Sequence, residues 1–172
     1  AMHVDRLVGC ARATLHEATP RELANVVQAA VGAGASSTAA LTSEAALLAE
    51  EKVPYMLPAE VVGVVFAFGQ AYGAGLDGGA SAPLLAKLLG QAARASEGLE
   101  PRQLAGLLHT CARWRLPVPP RDLCSLASAL GAQSESLQPE LACSALYSLM
   151  RLLGPAPSYV ASRDAAPGAG GS

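Results

Sequence analysis

The side chains best suited to chemistry in this sequence recur at fixed distances from four prolines. With Pro20, Pro58, Pro101 and Pro139 each counted as position 1, positions 2, 6, 9 and 13 of the first segment are Arg21, Asn25, Gln28 and Gly32. The second segment places Ala59, Gly63, Phe66 and Gln70 there, and the third places Arg102, Gly106, His109 and Arg113. The fourth places Glu140, Ser144, Tyr147 and Arg151. Steps of three and four residues put such positions on one stripe of a helix. The residue types are those that single-stranded RNA requires. The planar groups of Phe66, His109 and Tyr147 stack on bases, and Asn25, Gln28, Gln70 and Ser144 pair with base edges. Arg102, Arg113 and Arg151 reach phosphates or stack, and Gly63 and Gly106 admit close approach of a base or backbone. Each of these also has a structural reading. Position 9 packs against a neighbouring unit, Asn25 and Gln28 are solvated polar residues, and Trp114, between Arg113 and Arg115, wedges between adjacent helices.

Other chemistries find little support. The run GAGLDGGAS has neither a preceding strand nor a following Lys, so it is no phosphate loop. Serine, histidine and aspartate fall at no informative spacing. The carboxylates sit mostly in first helical turns or loops, where capping explains them. The four cysteines, Cys10, Cys111, Cys124 and Cys143, include no C-x-x-C pair and share no ligand spacing with His3, His16 or His109. They read as buried, reduced, small apolar residues. The sequence therefore names no catalytic residue, no metal ligand and no cofactor.

The elements that must carry the stripe are repeated. The four prolines are separated by 38, 43 and 38 residues, and the segments behind them align without gaps. Proline suits the first helical turn, and Glu22, Glu60 and Glu140 follow early, where they complement the macrodipole. An apolar face runs behind at position 4 (Leu23, Val61, Leu104, Ala142), at positions 7 and 8 (Val26/Val27, Val64/Val65, Leu107/Leu108, Ala145/Leu146) and at position 11 (Ala30, Phe68, Cys111, Leu149), which is the helical period. A second helix precedes each proline, with Leu7, Ala45, Leu88 and Leu126 thirteen residues before it. The five extra residues of the longer unit fall in the Gly-rich run Gly73–Pro83 between the two helices, where added length costs little.

The spacing predicts helices near 3–14, 20–32, 42–54, 58–72, 82–94, 101–114, 120–131 and 139–153. The expected architecture is all-α: an α-solenoid of about four stacked antiparallel helical pairs with a repeat near 38 residues. Residues 1–153 form the array, with 1–19 as a preceding half unit, and 154–172 are a flexible, low-complexity tail. No obvious polar cap closes either end of the array.

Composition agrees with close-packed thin helices. Hydrophobic residues make up 51% of the 172, aromatics only 4%, and charged residues 15%, well below the roughly 25% usual in globular proteins. This excludes a disordered chain and disfavours binding of polyanions by bulk charge. Residues 1–100 hold six Lys/Arg against ten Asp/Glu, and residues 101–172 hold six Arg against four, so nucleic-acid contact favours the C-terminal half. The most apolar window, Val61–Leu76, is broken by Gln70 and four glycines, short of a membrane span. The first residue is Ala, and no basic segment leads into an apolar run, which reads as a fragment or processed chain.

The pattern P-x-E-L-A-x-L-L-x-A-x-A on a 38-residue period, best seen in PRELANVV, in PRQLAGLL with the downstream LPVPP, and in LYSLMRLLG, resembles the octotricopeptide repeat. The tryptophan common in the middle of that family's first helix is replaced here by Gln28, Phe66, His109 and Tyr147. The resemblance implies a non-catalytic organellar RNA-binding protein, mitochondrial or chloroplast, acting in RNA processing, stability or translation. Single-stranded RNA is then the partner, with no membrane and no small-molecule substrate. Two alternatives stand beside it. One is a structural subunit of a large organellar ribonucleoprotein such as the mitochondrial ribosome, contacting rRNA and neighbouring proteins. The other is a HEAT-like protein-interaction scaffold.

Overall fold

The computed structural model describes residues 2–34, 37–77 and 79–154. Every regular element among them is helical. Eight α-helices follow one another: α1 (Met2–Thr14), α2 (Pro20–Ala33), α3 (Thr38–Lys52), α4 (Pro58–Gly73), α5 (Ser81–Arg94), α6 (Pro101–Trp114), α7 (Pro120–Ala132) and α8 (Pro139–Leu153). The tail expected after Gly154 lies outside the described residues.

The start of each proline-led helix repeats in detail. Short 3-10 turns at Leu15–Glu17, Val53–Tyr55, Ser96–Gly98 and Ser134–Ser136 each begin five residues before the proline. An extended residue follows each turn: Ala18, Met56, Leu99 and Leu137. The proline then opens the helix, where its missing N–H leaves nothing unpaired. The side chain two residues later reaches back to the N-cap N–H. Thr19 N donates to Glu22 Oε2 at 2.8 Å, Leu57 N to Glu60 Oε2 at 2.9 Å, and Glu100 N to Gln103 Oε1 at 2.9 Å. At α2 the Thr19 hydroxyl also accepts from Glu22 N, closing a capping box. Glu140 stands one position earlier than these three and has no such bond.

One expected boundary moves. The third helix starts at Thr38, not near residue 42. Thr38 is buried, and its hydroxyl donates to the Ala30 carbonyl at 3.1 Å, which ties the added turn to α2. In the Gly-rich insertion, Asp77 is buried and its carboxylate accepts from Gly79 N and Ser81 N, both at 3.0 Å, so it organises the entry to α5.

The proline-led helices pack in series: α2 on α4, α4 on α6, and α6 on α8. The others form a second series, with α1 against α3, α3 against α5 and α5 against α7. Each of α2, α4 and α6 also packs on the helix that follows it. Leu23, Val27, Val61, Val65, Phe68, Leu104, Leu107 and Leu108 are fully buried, as the apolar periodicity requires. Two amides bind across units. Gln91 Nε2 donates to the Met56 carbonyl at 3.3 Å, and Gln133 Nε2 donates to the Leu99 carbonyl at 3.1 Å.

The α4–α6 contact rests on glycine. A Cβ added at Gly73 would lie 2.2 Å from Trp114 Cε3 and 2.8 Å from its Cβ. One at Gly69 would lie 3.1 Å from Thr110 Cγ2, and one at Gly106 would lie 2.9 Å from Phe66 Cζ. Trp114 of α6 thus lies on Gly73 of α4, while Phe66 of α4 lies on Gly106 of α6. Past α6, Arg115 takes a left-handed conformation (φ 51°), and Leu116 N bonds back to the Cys111 carbonyl at 3.0 Å. The corresponding ends of α2, α4 and α8 use Gly34, Gly75 and Gly154 at positive φ, where glycine carries no steric penalty.

Gly73→Ala forces Trp114 out of its seat and is expected to lower stability in urea melts by about 1–3 kcal/mol. Gly63→Ala, whose Cβ meets nothing within 4 Å, should instead raise it by up to about 1 kcal/mol through helix propensity. The bond from Thr19 N, with the hydroxyl's bond beside it, holds the exposed Glu22 carboxyl below the usual carboxylate range. Its contribution is complete above the ordinary glutamate pKa and is lost as pH falls through the lowered folded value. Glu22→Gln should therefore reduce the melting temperature at neutral pH, with the difference from wild type vanishing in acid-side thermal melts.

Candidate nucleic-acid interface

The stripe is carried by the outward side of the proline-led helices, where each leaves a groove against the next. The first groove, between α2 and α4, has a volume of about 450 Å³ and is lined by Arg21, Ala24, Asn25, Gln28, Ala59, Glu60, Gly63 and Phe66. The second, across α4, α6 and the start of α8, has a volume of about 530 Å³. Its lining is Val62, Phe66, Arg102, Gln103, Ala105, Gly106, His109, Leu141 and Ser144. At α2, α4 and α6, positions 2, 6 and 9 therefore converge as the spacing requires, whereas α8 contributes only its position 6, Ser144, from the stripe. Phe66, 37% exposed, is the wall shared by both grooves. The two readings of position 9 meet in that ring, which packs on Gly106 of the next unit and still presents surface to either groove.

Of the ten candidates, the structure brings together Asn25, Gln28 and Phe66 in the first groove, and Phe66, Arg102, His109 and Ser144 in the second. Gln70, Arg113, Tyr147 and Arg151 are not among the lining residues of either. Position 13 lies one turn beyond the grooves, and each of its two arginines engages an aromatic of its own helix. The Arg113 guanidinium carbon lies 5.0 Å from the Trp114 ring centroid, and that of Arg151 lies 5.9 Å from the Tyr147 ring centroid. Trp114 is a half-buried wedge against Gly73 and not part of the open surface. Position 3, which the stripe of positions 2, 6, 9 and 13 omits, contributes as well. Glu60, Gln103 and Leu141 line the grooves there. The signal for the first two is the acidic or amide residue that closes the helix start.

The charges divide between the two helix series. Among the described residues, Arg12 Nε pairs with Glu44 Oε2 at 2.8 Å, Lys87 Nζ pairs with Glu50 Oε1, and His16 lies by Glu17. The two pairs that cross units join α1 to α3 and α3 to α5. The groove arginines, Arg21 and Arg102, are exposed and take part in none of them. Arg102 also borders a slot of about 600 Å³ together with Glu100 and Glu140.

Among the described residues no group of His, Cys, Asp and Glu is arranged to hold a metal ion, and no helix is long and apolar enough to cross a membrane. The expectation of four buried cysteines holds for Cys111 alone; Cys10, Cys124 and Cys143 are exposed. Cys143 is exposed because it occupies position 5 of α8, whereas Ala24, Val62 and Ala105 at that position are covered in the earlier units. Burial pushes the Cys111 thiol up to about 12. A thiol reagent at mildly alkaline pH should therefore titrate three cysteines rapidly and the fourth only on unfolding, since the thiolate is the reactive form.

No family model, no curated protein and no solved structure matches this chain.

Proposed function

We propose that this chain is a non-catalytic, single-stranded RNA-binding α-solenoid of the octotricopeptide type, acting in organellar RNA processing, stability or translation. The observation that carries this reading is the pair of consecutive grooves between proline-led helices. Both are bordered by Phe66, and their linings include Asn25, Gln28, Arg102, His109 and Ser144. Serial packing of like helices supports a solenoid, because each unit then contacts only its neighbours and repeats its surface along the stack. Aromatic and imidazole groups supply stacking that tolerates any base, and the amides and the serine hydroxyl supply edge contacts. Few unpaired cations border the grooves, so binding is weak and depends on stacking as much as on counterion release.

Fluorescence anisotropy with a short labelled single-stranded RNA tests this. Stacking is worth about 1–3 kcal/mol per base, so Phe66→Ala should weaken binding about tenfold while leaving the salt slope unchanged. Arg102→Ala should lower the magnitude of that slope by about 1. Absence of binding above background at low salt, or wild-type affinity in Phe66→Ala, removes the reading.

A further inference from the structure

The second helix series ties its units together with an ion pair at one repeated place. The residue eight before a unit's proline meets the residue fourteen before the next proline: Arg12 meets Glu44, and Glu50 meets Lys87. At the third interface, between α5 and α7, the same two places hold Ala93 and Ser125. They cannot form the pair, and both instead line an open groove of about 570 Å³. That volume falls within the roughly 300–1,000 Å³ of small-molecule sites.

The groove is bordered by cations and a thiol. Arg94 comes from the last turn of α5 and Arg121 from the first turn of α7. Cys124 lines the groove one helical turn beyond Arg121, on the same face of α7, and is exposed. Both arginines are exposed, and neither takes part in an ion pair among the described residues. Arg94 lies back over Gly90, where an added Cβ would stand 3.5 Å from its Nη1 and 3.7 Å from Asp122 Oδ2. Glu97 adds one carboxylate to the lining. Ser96 lines the groove too; it is only 6% exposed, and its hydroxyl has no hydrogen-bond partner among the described residues.

We propose that this groove is a site of reversible S-glutathionylation at Cys124. Glutathione carries two carboxylates and one ammonium on a short peptide. Arg94 and Arg121 suit the carboxylates by forked contacts, Glu97 suits the ammonium, and the Ser96 hydroxyl suits a peptide group. The Cys124 thiolate attacks one sulfur of glutathione disulfide. The bond from Cys124 Sγ to that sulfur forms, the disulfide bond of the reagent breaks, and the second glutathione leaves as a thiolate that takes a proton from water. Cys124 is oxidised and glutathione disulfide is reduced; excess reduced glutathione reverses the exchange.

Mass spectrometry of the full chain, without RNA, resolves each cysteine after timed exposure to a disulfide. The rate at Cys124 relative to Cys10 and Cys143, which are also exposed, should be at least about threefold higher with glutathione disulfide than with neutral bis-hydroxyethyl disulfide. The comparison cancels the intrinsic reactivity of each thiol. Arg94→Gln/Arg121→Gln should abolish the difference. So should Ala93→Glu/Ser125→Lys, which rebuilds the ion pair of the earlier units across the groove. Buried Cys111 stays unmodified in any variant that keeps the fold. A wild-type ratio that is the same for the two disulfides overturns the inference, and so does either folded variant that keeps the difference.

Discussion

The close approach of α4 and α6 is the constraint on which the rest of the molecule depends. Each helix offers a glycine to an aromatic ring of the other: Gly73 receives Trp114, and Gly106 receives Phe66. Because both helices run in the same direction, the two contacts fix their spacing and their axial register at two levels. A side chain at Gly73 would occupy the space of the indole itself. The scarcity of aromatic residues follows from this geometry, since Ala- and Gly-rich faces let backbones approach and leave room for few large rings.

The same register creates the candidate surface. Phe66 crosses to Gly106 and so becomes a partition between two grooves, each floored by small residues. Gly63 leaves the first groove open, while Gly106 is spent on seating the ring. The polar lining follows from helix starts as much as from the stripe, because Glu60 and Gln103 line the grooves while closing the first turns of α4 and α6. Cations are distributed by the same logic. The second helix series joins its units with ion pairs at Glu44 and Glu50, whereas Arg21 and Arg102 border the grooves unpaired. Exposed pairs of this kind contribute little stability; their effect is to place charge.

The ends of the stack express one further consequence of repetition. Leu146 and Leu108 occupy the same repeat position and are opposite in exposure, because no described helix covers that face of α8. Cys143 and Met150 of α8 are exposed for the same reason.

Periodicity, proline and local capping made most of the fold legible in the residues themselves. The eight helices, their order and their apolar faces follow from short-range chemistry: apolar steps of three and four, with, at α2, α4 and α6, a proline in the first turn and a carboxylate or amide two residues on that closes it. Convergence of positions 2, 6 and 9 was legible for the same reason, since helices of equal phase stacked in series align equal positions. Position 13 was not, because whether a groove extends another turn depends on how far the next helix lies from the first. The earlier start of α3 at Thr38 needed a carbonyl acceptor on α2 that no local pattern reveals. Whether Trp114 faces solvent or a neighbour, whether Phe66 packs or is presented, and which of four similar cysteines is buried were decided by contacts between units. Sequence fixes what each face is made of; only the packed structure determines which faces are covered.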